Sequence, residues 1–164
     1  MFGWPGDCMS ALHGGYLMDA PVVVISDDDE PMVRLLERQA SMAGLWAVPD
    51  LKSEAVQLAS LLHPAVVVLD VFQERYGLDI LRELKADPRN EDVDVVVISG
   101  ISQEVMKESC LALGAAEFVS KPLDATFLVN LARRASQVAN ARAKAQSQRR
   151  LVEHRRGGGP PQPN

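Results

Sequence analysis

The sequence predicts an α/β fold, a five-stranded parallel sheet with helices on both faces, and three observations carry that prediction. Ala65-Val66-Val67-Val68-Leu69 is an unbroken apolar run, mostly β-branched, that stops at Asp70. Such a run suits a strand buried on both faces. Four more short apolar runs alternate with stretches of helical period along the chain, the pattern of repeated strand and helix units. Gly44, Pro64 and Gly114 stand where one kind of segment gives way to the next.

Taken in order, residues 1–20 show no period and carry Gly and Pro breaks, so they are expected to form a flexible extension. Met18 is an alternative start, leading through Asp19-Ala20-Pro21 into the first strand. That strand spans Pro21 to Ser26 and leads into Asp27-Asp28-Asp29-Glu30. Met32, Leu35, Leu36, Ala40 and Met42 or Ala43 mark the buried face of a first helix closed by Gly44. Leu45 to Val48 is a short second strand. Lys52 to Leu62 is a second helix with Ala55, Leu58, Ala59 and Leu62 on one side, stopped by Pro64.

After the Asp70 strand, Gly77 to Ala86 makes a helix facing inward through Ile80, Leu81 and Leu84, and Asp87-Pro88-Arg89-Asn90 is a loop. Val93 to Ile98 is a fourth strand ending at Ser99-Gly100. Gln103 to Leu113 is the fourth helix. Ala116 to Val119 delivers Ser120-Lys121-Pro122, and a last helix runs from an Asp124 N-cap to about Glu153. Residues 154–164, ending in GGGPPQPN, are expected to be disordered.

Charge is distributed unevenly. Arg133 to Arg156 holds eight basic residues against one acidic, and the remainder nine against twenty-one. An acidic body therefore carries a basic tail. No stretch approaches the roughly eighteen apolar residues of a membrane span, and the start lacks a signal-peptide pattern, so a cytoplasmic location is expected. Cys8 and Cys110 have no metal-type spacing; Cys110 is read as a small buried helix residue. No glycine signature for a dinucleotide follows the first strand.

Right-handed crossovers bring the carboxyl ends of all five strands to one edge, where ligands of open α/β sheets gather. That edge would hold Asp27, Asp28, Asp70, Ser99 and Lys121. Clustered carboxylates repel one another unless cations neutralise them. One lysine and one divalent ion would balance three of them, and an all-oxygen donor set suits Mg2+. A carboxylate so placed can attack a phosphoryl group, the two cations stabilising its oxygens. Asp70 would form the acyl phosphate, with Ser99 and Lys121 bonding the phosphoryl oxygens. Each residue also has a plainer reading: Asp70, Asp27 and Asp28 as helix-start acids, Ser99 as a cap, Lys121 as a surface lysine.

The motifs Val24-Ile25-Ser26-Asp27-Asp28, Val67-Val68-Leu69-Asp70, Val97-Ile98-Ser99-Gly100 and Phe118-Val119-Ser120-Lys121-Pro122 occur in that order. In these, residues 21–136 resemble the receiver domain of bacterial response regulators, leaving 137–153 as a basic helical extension. The resemblance implies the flavodoxin-like, doubly wound (βα)5 fold with strand order 2-1-3-4-5. It also implies Asp70 as phosphoacceptor, Asp27, Asp28 and the Phe72 backbone carbonyl as Mg2+ ligands beside it, Ser99 and Phe118 as switch residues, Lys121 as phosphoryl partner, and a cis Lys121-Pro122 bond. The loop Asp70-Val-Phe-Gln-Glu-Arg-Tyr-Gly77 departs from the family: it lacks a proline and is one residue shorter. That departure bears on the Phe72 carbonyl and on the surface offered to partners.

The expected function is a stand-alone phosphorelay receiver, charged by a histidine kinase or histidine phosphotransfer protein and switching a surface read by a further, unspecified protein. Its own chemistry would be limited to self-phosphorylation and slow dephosphorylation, because bulky Phe72 and Ile101 obstruct the attacking water. A Mg2+ phosphohydrolase with an aspartyl nucleophile is the alternative, but Phe72 stands where such enzymes usually carry a second Asp. An unphosphorylated receiver-like adaptor is a third reading. In the tail, Val138, Ala141, Ala145 and Val152 form a thin seam that suits weak homodimerisation. The tail has no aromatics for stacking on bases and no helix-turn-helix, so specific nucleic-acid binding is not expected, nor is membrane binding.

Overall fold

The computed structural model describes residues 20–101 and 103–157. The expected extension before Ala20, with Cys8 and Met18, and the tail after Gly157 lie outside the described residues. Five parallel strands, β1 (Val22–Ser26), β2 (Trp46–Asp50), β3 (Val66–Asp70), β4 (Asp94–Ser99) and β5 (Glu117–Ser120), form one sheet in the order β2-β1-β3-β4-β5. The helices are α1 (Glu30–Met42), α2 (Ala55–Leu62), α3 (Gly77–Ala86), α4 (Glu104–Ala112) and α5 (Ala125–Gly157). This is the doubly wound arrangement that the alternating pattern predicts.

Strand alternation divides the core in two. Val23, Ile25, Val66, Val68, Val96 and Ile98 face α1 and α5, where Val33, Leu36, Phe127, Leu131 and Ala135 meet them. Val24, Val67, Leu69, Val95 and Val97 face the other side, against Ala55, Ala59, Ile80, Leu81, Leu84 and Cys110. Every residue of β3 is buried. It lies between β1 and β4, so its carboxyl end is the centre of the sheet edge.

Several local readings are corrected. The buried stripe of α1 is Val33, Leu36 and Ala40, while Leu35 is 53% and Met42 is 84% exposed. The helix begins at an Asp29 cap, whose carboxylate accepts the Met32 N–H at 3.2 Å, with a proline in its first turn. That phase turns Leu35 and Met42 to solvent. Helix α2 begins at Ala55, not Lys52. The Asp50 carboxylate takes the N–H groups of Lys52 and Glu54, each at 3.0 Å, and Ser53 is left-handed at φ 56°. The chain therefore turns before it coils. Pro88–Asn90, expected as loop, is one 3-10 turn.

Helix α5 has 33 residues, about 50 Å at 1.5 Å per residue, and runs four residues past the expected end at Glu153. Asp124 accepts the Phe127 N–H at 3.0 Å, as an N-cap does. Val138, expected in a seam between protomers, packs partly against this chain's own core. Four residues farther on, Arg142 reaches the opposite edge of the sheet. Its guanidinium donates to the His63 carbonyl at 2.7 Å, the Pro64 carbonyl at 2.9 Å, and the Asp92 carboxylate at 2.6 Å. His63 is the left-handed C-cap of α2, so Arg142 serves carbonyls the helix leaves open. Arg142→Ala is expected to cost about 2 kcal/mol and to remove amide-exchange protection from α5 beyond Val138, measured by hydrogen exchange. Unchanged protection there would show that the helix stands by itself. Among the described residues, no helix is long and apolar enough to cross a membrane.

Candidate phosphoacceptor site

Three strand ends and one loop build the site. Asp70 closes β3 and is 3% exposed, Asp27 follows β1 and is 1% exposed, and Ser99 closes β4 and is fully buried. Lys121 follows β5, before a cis peptide bond to Pro122. Its Nζ lies 2.7 Å from Asp27 Oδ2 and 2.7 Å from Asp70 Oδ1. One ammonium thus joins two carboxylates that stand far apart in sequence.

The balance is still anionic. Burial pushes the Asp70 carboxyl above its usual range; the Lys121 hydrogen bond opposes this, and the nearby Asp27 charge adds to it. Burial alone would lower the Lys121 ammonium, but hydrogen bonds and charge from Asp27 and Asp70 outweigh it, so the ammonium is held above its ordinary value. Asp27 Oδ1 also accepts the Asp29 N–H at 2.9 Å, which turns the chain out of β1 toward α1.

The other sequence-predicted residues sit around this pair. Asp28 is exposed at the rim, so the structure joins two of the three expected carboxylates and leaves the third beside them. The reason is the turn fixed by Asp27, which brings its own side chain inward and sends the next residue outward. The Ser99 hydroxyl accepts the Ile101 N–H at 3.0 Å, and the Ser99 carbonyl accepts the Lys121 N–H at 2.8 Å. Phe118 is half-buried against the α2–α3–α4 side of the core. Phe72 is 47% exposed, with its ring 6.2 Å from that of Tyr76.

Among the described residues, no three acidic, His or Cys side chains come close enough to form a ready-made metal cage. Mg2+ does not need one: it binds through one or two carboxylates and keeps several waters. Two buried carboxylates against one ammonium, all donors hard oxygen, fit that ion.

Sequence reasoning missed a polar network that holds the loop after Asp70. The Ser26 hydroxyl donates to Asp50 Oδ2 at 2.7 Å, and Asp50 is 3% exposed at the end of β2. Gln73 Nε2 donates to the Asp70 carbonyl at 3.0 Å, and Gln73 Oε1 accepts from Ser53 at 2.9 Å. The available signal was a serine and an aspartate ending otherwise apolar strands. These two lie 24 residues apart in sequence, and Ser53 lies 20 from Gln73, too far for local patterns to pair them.

Known proteins resemble this arrangement. The family model described as response regulator receiver domain matches residues 23–133. The photosynthetic apparatus regulatory protein RegA of Rhodovulum sulfidophilum is 30% identical over 107 residues, which cover 64% of this chain and 57% of RegA. The response regulator PleD of Caulobacter vibrioides is 32% identical over 114 residues, covering 68% of this chain and 25% of PleD. The chain thus spans only part of the length of these relatives. The Vibrio cholerae chemotaxis protein CheY4 superposes with a TM-score of 0.65 at 17% identity, over 71% of this chain and 98% of that one, a likeness of fold.

Proposed function

Because this chain belongs to the response regulator receiver domain family of two-component signalling, we propose that Asp70 accepts a phosphoryl group from a phosphohistidine donor and that the acyl phosphate switches a protein-binding surface. The observation that supports this best is the Lys121 ammonium 2.7 Å from both Asp70 and Asp27. A carboxylate held beside a fixed cation is a nucleophile whose product charge is already compensated.

In the reaction, an Asp70 carboxylate oxygen forms the new O–P bond as the N–P bond of the donor breaks. The electron pair stays on the imidazole nitrogen, and the donor leaves as neutral imidazole with its proton on the other ring nitrogen. Lys121 turns from the Asp70 carboxylate to a phosphoryl oxygen, and the Ser99 hydroxyl, one strand away, donates to another. Asp27 and Asp70, with Asp28 at the rim and the Phe72 carbonyl, would hold Mg2+. When bound, that ion neutralises charge on the phosphoryl oxygens. Phe118, half-buried on the neighbouring strand and in register with Val97, two residues before Ser99, is the aromatic group that would repack when Ser99 changes partner.

The test is incubation with acetyl phosphate and Mg2+, read by intact mass. Wild type is expected to gain one phosphoryl group and Asp70→Asn none; equal gain in both would place the chemistry elsewhere. A histidine kinase or histidine phosphotransfer protein is the donor expected to replace acetyl phosphate.

The acyl phosphate is expected to persist. Phe72 and Ile101 are 47% and 44% exposed on the loops that follow Asp70 and Ser99, where their apolar bulk covers the approach of water. Phe72→Asn with Ile101→Ala is expected to raise the hydrolysis rate by about tenfold, followed as loss of the phosphoryl mass. An unchanged decay would remove the shielding.

A further inference from the structure

The loop between β3 and α3 reaches from the acceptor to Gly77 without a proline to stiffen it. The geometry points to Gln73 as the positioning residue of Asp70, a side-chain clamp that does for this loop what a rigid backbone would otherwise do. This inference rests on the phosphoacceptor reading of Asp70 and extends it to the groups that aim the nucleophile.

The clamp is bonded at both ends. Gln73 Nε2 donates to the Asp70 backbone carbonyl at 3.0 Å, and Gln73 Oε1 accepts from the Ser53 hydroxyl at 2.9 Å, with the Ser26 hydroxyl 3.1 Å away. This pattern fixes the orientation of the amide, because a flipped amide would set its oxygen against the Asp70 carbonyl. Ser53 also accepts the Arg75 N–H at 3.3 Å, so loop 71–76 is held at two points by one residue of the β2–α2 loop.

Ser53 is itself held in place. It is 6% exposed and left-handed at φ 56°, a conformation that a serine adopts only where its surroundings impose it. Ser26 is fully buried and donates to Asp50 at 2.7 Å. Asp50 is anchored in turn by the Lys52 and Glu54 N–H groups, and its carbonyl accepts the Asp27 N–H at 3.1 Å. One linkage therefore runs from the Asp27 N–H to the Asp50 carbonyl, from the Asp50 carboxylate to the N–H groups on either side of Ser53, and from the Ser53 hydroxyl through Gln73 to the Asp70 carbonyl, while Ser26, whose one proton goes to Asp50, lies 3.1 Å from Gln73 Oε1. This linkage sets the spacing of the two carboxylates from below, as Lys121 sets it from above. Gln73 touches no reacting atom.

Gln73→Met keeps the length of the side chain and removes both amide bonds. It is expected to slow phosphorylation of Asp70 by acetyl phosphate about tenfold, since small misplacement of a nucleophile is costly. Ser53→Ala should show the same slowing. The double variant should be no slower than either single one, because both break one linkage. A second readout uses no phosphoryl donor: Mg2+ titration of the unphosphorylated protein, followed by amide NMR shifts of residues 70–77, should need several-fold more Mg2+ in Gln73→Met. A residue that only supported the fold would lower the melting temperature and leave the Mg2+ midpoint where it was.

If Gln73→Met does not fold, Ser53→Ala carries both measurements. Rates within twofold of wild type, or additive slowing in the double variant, overturn the positioning role while leaving Asp70 as acceptor. A wild-type protein that takes no phosphoryl group overturns the acceptor reading and this inference with it.

Discussion

Replacing Lys121 by Met is expected to destabilise the protein by about 3 kcal/mol at neutral pH and to slow phosphorylation of Asp70 at least about a hundredfold. The ammonium is the only group among the described residues that the structure shows bonded to both buried carboxylates. Removing it leaves two like charges facing each other out of water, which costs far more than loss of a surface ion pair. Chemical denaturation reads the first effect and phosphorylation by acetyl phosphate the second. A variant as stable as wild type would mean that the two acids do not depend on Lys121.

The pH dependence follows from the directions of the two shifts. Lys121 is raised in the folded protein, so its stabilisation is complete below the ordinary lysine range and is lost only as pH rises through its elevated value. Asp70 is also raised, chiefly by burial. A folded state that holds this proton more tightly than the unfolded chain is penalised wherever Asp70 is ionised, and the penalty lifts as pH falls through the raised value. Asp70→Asn should therefore melt higher than wild type near neutral pH without divalent cations, by about 1 kcal/mol. The gain should shrink as the solution is acidified toward the carboxylate range. Melting curves across that interval check the sign, and a gain that grows on acidification would contradict it.

Gly77→Ala has the second large expected effect. A Cβ built on Gly77 would lie 2.2 Å from the Asp70 carbonyl oxygen and 2.8 Å from the Val71 Cα. Both are backbone atoms at the end of the central strand, so no side-chain rotation relieves the overlap. The Gly77 N–H also donates to the Val71 carbonyl at 2.9 Å, which ties the start of α3 to the loop that follows Asp70. Accommodating the methyl group should cost about 3 kcal/mol and lower the melting temperature by about 10 °C. Because the atom displaced is the carbonyl of Asp70 itself, phosphorylation at the proposed acceptor should fall by roughly a hundredfold in molecules that remain folded. Normal melting would show that the loop yields freely.

What was legible in the sequence followed from burial. β3 and β4 are covered on both faces, so they must be apolar throughout, and a polar residue that ends such a run marks the sheet edge: hence Asp70 and Ser99 are visible, as is Asp27 after the similarly buried β1. By contrast, β5 is only partly buried, and Lys121 stands out through its motif with Pro122 and its place in the alternation. Helix α3, with Ile80, Leu81 and Leu84 buried, was read with its ends intact because its apolar residues share one stripe. On helix α1, Leu36 and Ala40 lie in the core as expected and Met32 packs partly against it. Leu35 and Met42, equally apolar, face solvent while Val33 is buried, because apolar residues stand on both sides of the stripe and composition does not tell them apart. The bonds made by Gln73, Ser53, Ser26 and Asp50 had no sequence signature, since polar side chains pair by position in space and not by period.

The family outline stops at residue 133, yet Arg142 grips the turn that precedes the central strand and the one that precedes β4. A protein trimmed to that outline would be missing a fastener from its underside. Where folding ends and where homology ends are here two different places, and shortening the last helix for convenience would alter the very strand that bears Asp70.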